Sequence, residues 1–127
     1  MSLEKMEAAL LDLSTLCNGW DGADAVPPGA AIERTRRFLP ALMARLEGAP
    51  WPFIYPRAGG EPAVQLEWDP PLVGVEIEVY ADGRMETHTG DSFGYYCDLS
   101  PGDPEEQAEA LAGFWKANGV WPVRAKA

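Results

Sequence analysis

The 127-residue chain has one histidine, two cysteines and, from residue 61 to residue 109, a single basic residue against thirteen acidic ones. Each scarcity closes off a class of function. With His88 as the only imidazole, metal centres built on two histidines are excluded, and a Ser/His/Asp arrangement has no spare base. Cys17 and Cys97 show no CxxC or Cys/His spacing, so they are read as buried free thiols of a reducing compartment, with a disulfide between them or a reactive thiol as the alternatives. No stretch approaches the roughly 18 to 20 apolar residues of a membrane-spanning helix. The opening Met1-Ser2-Leu3-Glu4-Lys5-Met6-Glu7 places acids where a signal peptide needs bases and a continuous apolar run. The lack of bases through the middle argues against direct nucleic-acid binding, because each phosphate contact needs a nearby Lys or Arg. A cytoplasmic protein that binds neither membrane nor nucleic acid is expected.

What is present is a foldable composition: 46% apolar residues and 10% aromatics, enough for one core and one domain over residues 1–127. There is no internal repeat. Leu3, Met6, Leu10, Leu13 and Leu16 recur at helical spacing, predicting a helix over 3–16 that Cys17-Asn18-Gly19 ends. Ile32, Thr35, Phe38, Leu39, Leu42, Met43 and Leu46 predict a second over 29–47, kinked or divided at Pro40, with Arg34, Arg36, Arg37 and Arg45 mostly facing solvent. Pro50, Pro52 and Pro56 bracket an edge strand or arm at 51–55. Alternating apolar residues then predict strands at 63–68 and 72–80, with two more at 84–88 and 93–99. Asp103-Pro104-Glu105-Glu106 supplies a cap, a first-turn proline and an N3 glutamate for a helix over 104–118. The order reads as an α+β fold, an antiparallel meander of about four or five strands with helices packed on one face and water on the other.

Charge is segregated along the chain. Residues 1–60 carry seven acids and six bases, residues 61–109 thirteen and one, residues 110–127 three bases alone, a split of −1, −12 and +3. The strands therefore hold the acidic field. A three-residue Ala81-Asp82-Gly83 loop with Gly83 in a left-handed position pairs Val79 with Met85 and keeps apolar residues on one face. That register sets Glu78 opposite Glu86 and Glu76 opposite His88, with Glu67 on the neighbouring strand. Opposed like charges destabilise a strand pair by up to about 1 kcal/mol.

Glu67, Glu76, Glu78, Glu86 and His88 are accordingly the candidate partner-binding residues, a face for a basic protein that relieves their repulsion. Removing these carboxylates is expected to leave the free protein at least as stable. A solvated surface and a divalent-cation site among Glu76, Glu78, Glu86 and His88 are the alternatives, the latter requiring closer convergence than strand spacing guarantees. Neither a catalytic residue nor a cofactor is expected, since no carboxylate is singled out by an apolar environment and Gly90 to Gly94 lack the Lys and helix start of a phosphate loop.

The most distinctive segment runs from Asn18 to Pro28. Gly19 and Gly22 permit unusual dihedrals, Trp20 can bury a large ring between helix and sheet, and Asp21 or Asp24 can accept backbone N–H bonds. Trp20, Asp21 and Asp24 are thus candidates for a structural corner or a ligand rim. An N-terminal helix, Gly19-Trp20-Asp21-Gly22, an amphipathic helix, Pro56 with a glycine turn and Leu66-Glu67-Trp68 together resemble a family of small uncharacterised bacterial proteins with a GWDGYGA-type loop and an LEW strand. The resemblance covers about residues 3–87 and departs at Ala23, where an aromatic is usual, and Asp24, where glycine is usual. It implies a bacterial or phage origin and carries no activity with it. The expected function is that of a non-catalytic acidic interaction protein, of the antitoxin, immunity or anti-defence inhibitor kind. The alternative is a small-molecule domain or enzyme with a pocket between the Trp20 loop and the sheet, walled by Trp51, Tyr55, Trp68, Tyr95 and Tyr96.

Overall fold

The computed structural model describes residues 3–16, 28–46, 48–57, 60–68, 75–89 and 97–118. Their elements follow in the order α1 (Leu3–Ser14), α2 (Gly29–Arg45), β1 (Phe53–Pro56), β2 (Val64–Glu67), β3 (Val75–Val79), β4 (Met85–Thr89) and α3 (Pro104–Asn118). The strands make an antiparallel sheet in the order β1-β2-β3-β4, the expected meander, with the helices packed against it. Residues 17–27 and 91–96, which include Cys17, Trp20, Asp21, Asp24, Tyr95 and Tyr96, lie outside the described residues.

The alternation in sequence determines which side of the sheet is dry. Val64, Leu66, Val75, Ile77, Val79 and Met85 are fully buried beneath the helices, together with Phe38, Leu39 and Leu42 of α2, Met6 and Leu10 of α1 and Leu111 of α3. α2 lies over β2 and β3, flanked by α1, which also meets β1, and by α3. Trp115 of α3 meets Trp68 edge-to-face at 5.9 Å between centroids, and the Trp68 indole N–H donates to the Pro50 carbonyl at 2.7 Å. A buried ring pair of this kind adds about 0.5–1.5 kcal/mol beyond its area.

Several boundaries differ from expectation for physical reasons. Helix α1 stops at Ser14 rather than 16, where the Ser14 and Thr15 hydroxyls donate back to the carbonyls of Leu11 and Asp12 and tighten the last turn. Pro40 does not divide α2, which runs through it. An interior proline costs roughly 3 kcal/mol. Phe38, Leu39 and Leu42 are fully buried on both sides of it, and at roughly 1.5–3 kcal/mol each they outweigh that cost. Strand β1 spans Phe53–Pro56 instead of 51–55. Of the expected fifth strand, residues 97–99 are described, and of these Leu99 alone is bridged, to Met85 through two backbone hydrogen bonds of 2.8 and 3.0 Å.

The β3–β4 turn has the expected three-residue form. Gly83 adopts φ +92°, its N–H donates to Tyr80 and Arg84 N–H donates to Asp82. A Cβ at Gly83 would also lie 2.9 Å from the Arg34 guanidinium. Arg34 is half-buried rather than solvent-facing; it donates to the Gly102 carbonyl and to Gln107. The Gln107 amide in turn donates to the carbonyls of Gly83 and Ser100 at 2.7 and 2.9 Å. This clamp ties the turn to α2 and α3.

Candidate functional site

Residues directly opposite each other in an antiparallel sheet share a face. The pairings Phe53↔Glu67, Glu67↔Glu76 and Glu76↔His88 therefore align Phe53, Glu67, Glu76 and His88 in one row across the outer face. Tyr55↔Gln65, Gln65↔Glu78 and Glu78↔Glu86 align Tyr55, Gln65, Glu78 and Glu86 in the next. The five residues singled out from sequence thus fall on one face, and the predicted oppositions of Glu78 with Glu86 and Glu76 with His88 are present.

The two rows differ in how their charge is balanced. Arg57, just past β1, donates from Nε to Glu78 at 2.6 Å, with both side chains largely covered. Arg84 reaches Glu86 at 3.4 Å and Glu61 at 2.5 Å while its guanidinium lies 4.1 Å over the Tyr80 ring. The Tyr80 hydroxyl donates to Glu78 at 3.3 Å, and His88 Nε2 lies 3.4 Å from the same carboxylate. The second row is therefore neutralised from within. In the first row Glu67 accepts from the neutral amide of Gln65 at 3.3 Å, and among the described residues no Lys or Arg forms an ion pair with Glu67 or Glu76.

The acidities follow this division. Burial and the neighbouring Glu67 charge push the Glu76 carboxyl above its ordinary value, only partly offset by His88. Burial also pushes Glu78 up, but the hydrogen bond and charge of Arg57, with help from His88, outweigh it and hold the group below the ordinary value. Burial and the carboxylates of Glu78 and Glu86 lift the Tyr80 phenol to about 12. Two expectations are corrected here. A carboxyl with a raised value does exist on this sheet, at Glu76. Removal of Glu78 does not merely relieve repulsion, because it takes away the carboxylate that accepts from Arg57 Nε.

Glu78, Glu86 and His88 bring their ligand atoms within 4.8 Å of one another, closer than strand spacing alone guarantees. Two carboxylates and an imidazole form a donor set suited to a divalent cation. Arg57 and Arg84 already lie against one oxygen of each carboxylate, Oε2 of Glu78 and Oε2 of Glu86, so a cation there would share both groups with a guanidinium. Cys97 has its thiol pushed up by burial and the Asp98 charge, the reverse of what a nucleophile needs.

Of the aromatics considered as pocket walls, Trp68 is 1% exposed and belongs to the core, and Trp51 packs against that core. Tyr55 is instead 42% exposed on the outer face, stacked with Phe53, itself 47% exposed, at 6.2 Å between centroids and 21° between planes. The contributions of Arg57, Phe53 and Tyr55 to this face were not anticipated from sequence. Alternation over residues 53–55 could have placed both rings on one side, whereas nothing local marks Arg57 as the partner of Glu78. No protein-family model, curated protein or solved structure matches the chain. Among the described residues no helix is long and apolar enough to cross a membrane.

Proposed function

We propose that the protein is a non-catalytic binding protein of the cytoplasm that docks a basic protein surface through the outer face of its sheet, as an acidic inhibitor of the antitoxin, immunity or anti-defence kind would. The observation that carries this reading is the opposed pair Glu67 and Glu76, two carboxylates that form no ion pair with a Lys or Arg among the described residues, on a face that balances its other acids internally. A fold gains nothing from such a pair, whereas an arriving Lys or Arg turns repulsion into attraction. The same charge disfavours nucleic acid, whose phosphates it repels. We also propose kinship with the small bacterial proteins that share the Gly19-Trp20-Asp21-Gly22 and Leu66-Glu67-Trp68 motifs. In the second motif Leu66 and Trp68 are buried while Glu67 faces outward, a division of labour that gives each of the three positions a reason.

The test is binding of a fluorescent arginine-rich peptide by anisotropy at two ionic strengths. Glu67→Gln with Glu76→Gln should weaken it about tenfold at low salt, and less at high salt because screening already weakens the wild type. A charge-matched control on α1, Glu4→Gln with Asp12→Asn, should change affinity less than about twofold, since both residues lie on an element that packs on the opposite side of the sheet. Equal losses in the two variants would reduce the face to a share of the net charge and overturn the reading.

A further inference from the structure

Resting on that docking face, we infer that it is built to take an arginine rather than a lysine of the partner, with the guanidinium laid against Phe53 and Tyr55 and its fork turned to Glu67 and Glu76. The rings are the first observation. They are stacked on each other and roughly half exposed at the rim of the sheet, each directly opposite a polar residue of β2, Phe53 beside Glu67 and Tyr55 beside Gln65. Exposed rings on an otherwise charged strand face do not stabilise the core, which lies on the other side. They offer flat apolar area next to carboxylates whose Cβ atoms, being directly opposed, sit roughly 5 Å apart.

Arginine fits this combination better than lysine. Its guanidinium is planar, weakly hydrated, stacks on aromatic faces and presents donors as a fork, whereas an ammonium is a compact, strongly hydrated point charge. The face already holds one of its own arginines in this manner. Arg84 lies 4.1 Å over the Tyr80 ring while donating to Glu61 and Glu86. Phe53, Glu67 and Glu76 supply the same elements, a ring and two acids, with no arginine paired to those acids among the described residues.

Other occupants fit less well. A second copy of the chain joined by a two-fold axis would set Glu67 and Glu76 against their own images, with like charges opposed. Strand addition at the β1 edge has little ladder to extend, because Pro52 and Pro56 bracket the short strand and neither carries an N–H. A side chain arriving over the face avoids both difficulties.

The experiment compares two fluorescent nine-residue peptides identical except for arginine or lysine at every basic position, titrated into the intact protein at physiological salt. The arginine peptide is expected to bind about tenfold more tightly. Phe53→Ser with Tyr55→Ser should remove most of that preference while leaving thermal unfolding close to wild type, since both rings are exposed. Glu67→Gln with Glu76→Gln should weaken both peptides. Equal binding of the two peptides by wild type, still dependent on Glu67 and Glu76, would overturn the arginine inference and leave the docking face standing. Binding insensitive to those carboxylates, or no binding of either peptide, would overturn both. A preference that survives loss of the rings, or a dimer in sedimentation that disappears with them, would also refute the assignment.

Discussion

Glu76 and Glu78 sit two residues apart on the same strand and face, yet their charges act on the fold in opposite senses. Glu78→Gln should lower stability by about 1 kcal/mol, because Arg57 loses a charge-assisted hydrogen bond in a partly covered site. Glu76→Gln should raise it by about 0.2–1 kcal/mol as the repulsion from Glu67 disappears. Acidity adds a signature. Glu78 lies below 4.5 in the folded protein, so its contribution is complete above that value and is lost as pH falls through its folded value. Glu76 lies above 4.5, so its penalty is absent at lower pH and reaches full size only once pH has risen past its folded value. Urea unfolding at pH 7 and at about pH 3 should therefore show the deficit of Glu78→Gln and the gain of Glu76→Gln both shrinking in acid. A gain for Glu78→Gln at neutral pH would refute the pairing with Arg57.

At the scale of elements, the attachment of residues 97–99 to β4 depends on a side chain. Thr87, 1% exposed, donates to the Cys97 carbonyl at 2.9 Å and accepts from the Cys97 N–H at 2.8 Å. Thr87→Val keeps the volume but orphans both backbone groups, and should cost roughly 1–3 kcal/mol in denaturant unfolding. Faster amide exchange at Cys97 than at Ile77 in the variant would locate the loss. What was legible in the sequence at this scale was local. Asp82-Gly83 together with apolar alternation fixed the β3–β4 register, and Asp103-Pro104-Glu105-Glu106 marked the start of α3, where the Asp103 carboxylate accepts from the Glu106 N–H at 3.1 Å. Illegible were the interactions that close over distance. Arg57 meets Glu78 across 21 positions and Arg34 reaches Gln107 across 73, and no pattern of neighbours distinguishes such arginines from solvated ones. The continuity of α2 through Pro40 was illegible for a related reason: the local cost of the proline is visible in sequence, but the tertiary burial that overrides it is not.

Over the whole molecule the formal charge of −10 gives ionic strength two opposite effects. Raising salt from about 10 mM to 150 mM shortens the screening length from roughly 30 Å to 8 Å. The melting temperature of the free protein should rise, and by less in the Glu67→Gln, Glu76→Gln variant. Affinity for a basic peptide should fall over the same range. A melting temperature indifferent to salt would mean that the acidic field is already balanced by the arginines of the sheet. The acidic character of the outer face was legible at this scale from the −12 block and the strand alternation, but its division into a row with arginine partners and a row without them among the described residues was not, because that depends on which cations fold back onto the face.

The position of α3 has a consequence for synthesis. The meander is assembled from sequence neighbours, so β1 to β4 can pair as soon as they leave the ribosome. The hydrophobic layer above them stays unfinished, because α2 lacks its flank and Trp68 lacks Trp115 until residues 104–118 emerge. A chain halted at residue 103 should bind the dye ANS strongly and precipitate on warming, whereas the 127-residue chain should do neither. For the time that elongation takes to add α3, the nascent protein keeps part of its apolar layer uncovered behind an acidic front, and its exposure to chaperones is set by the rate of translation across the codons for residues 104–118.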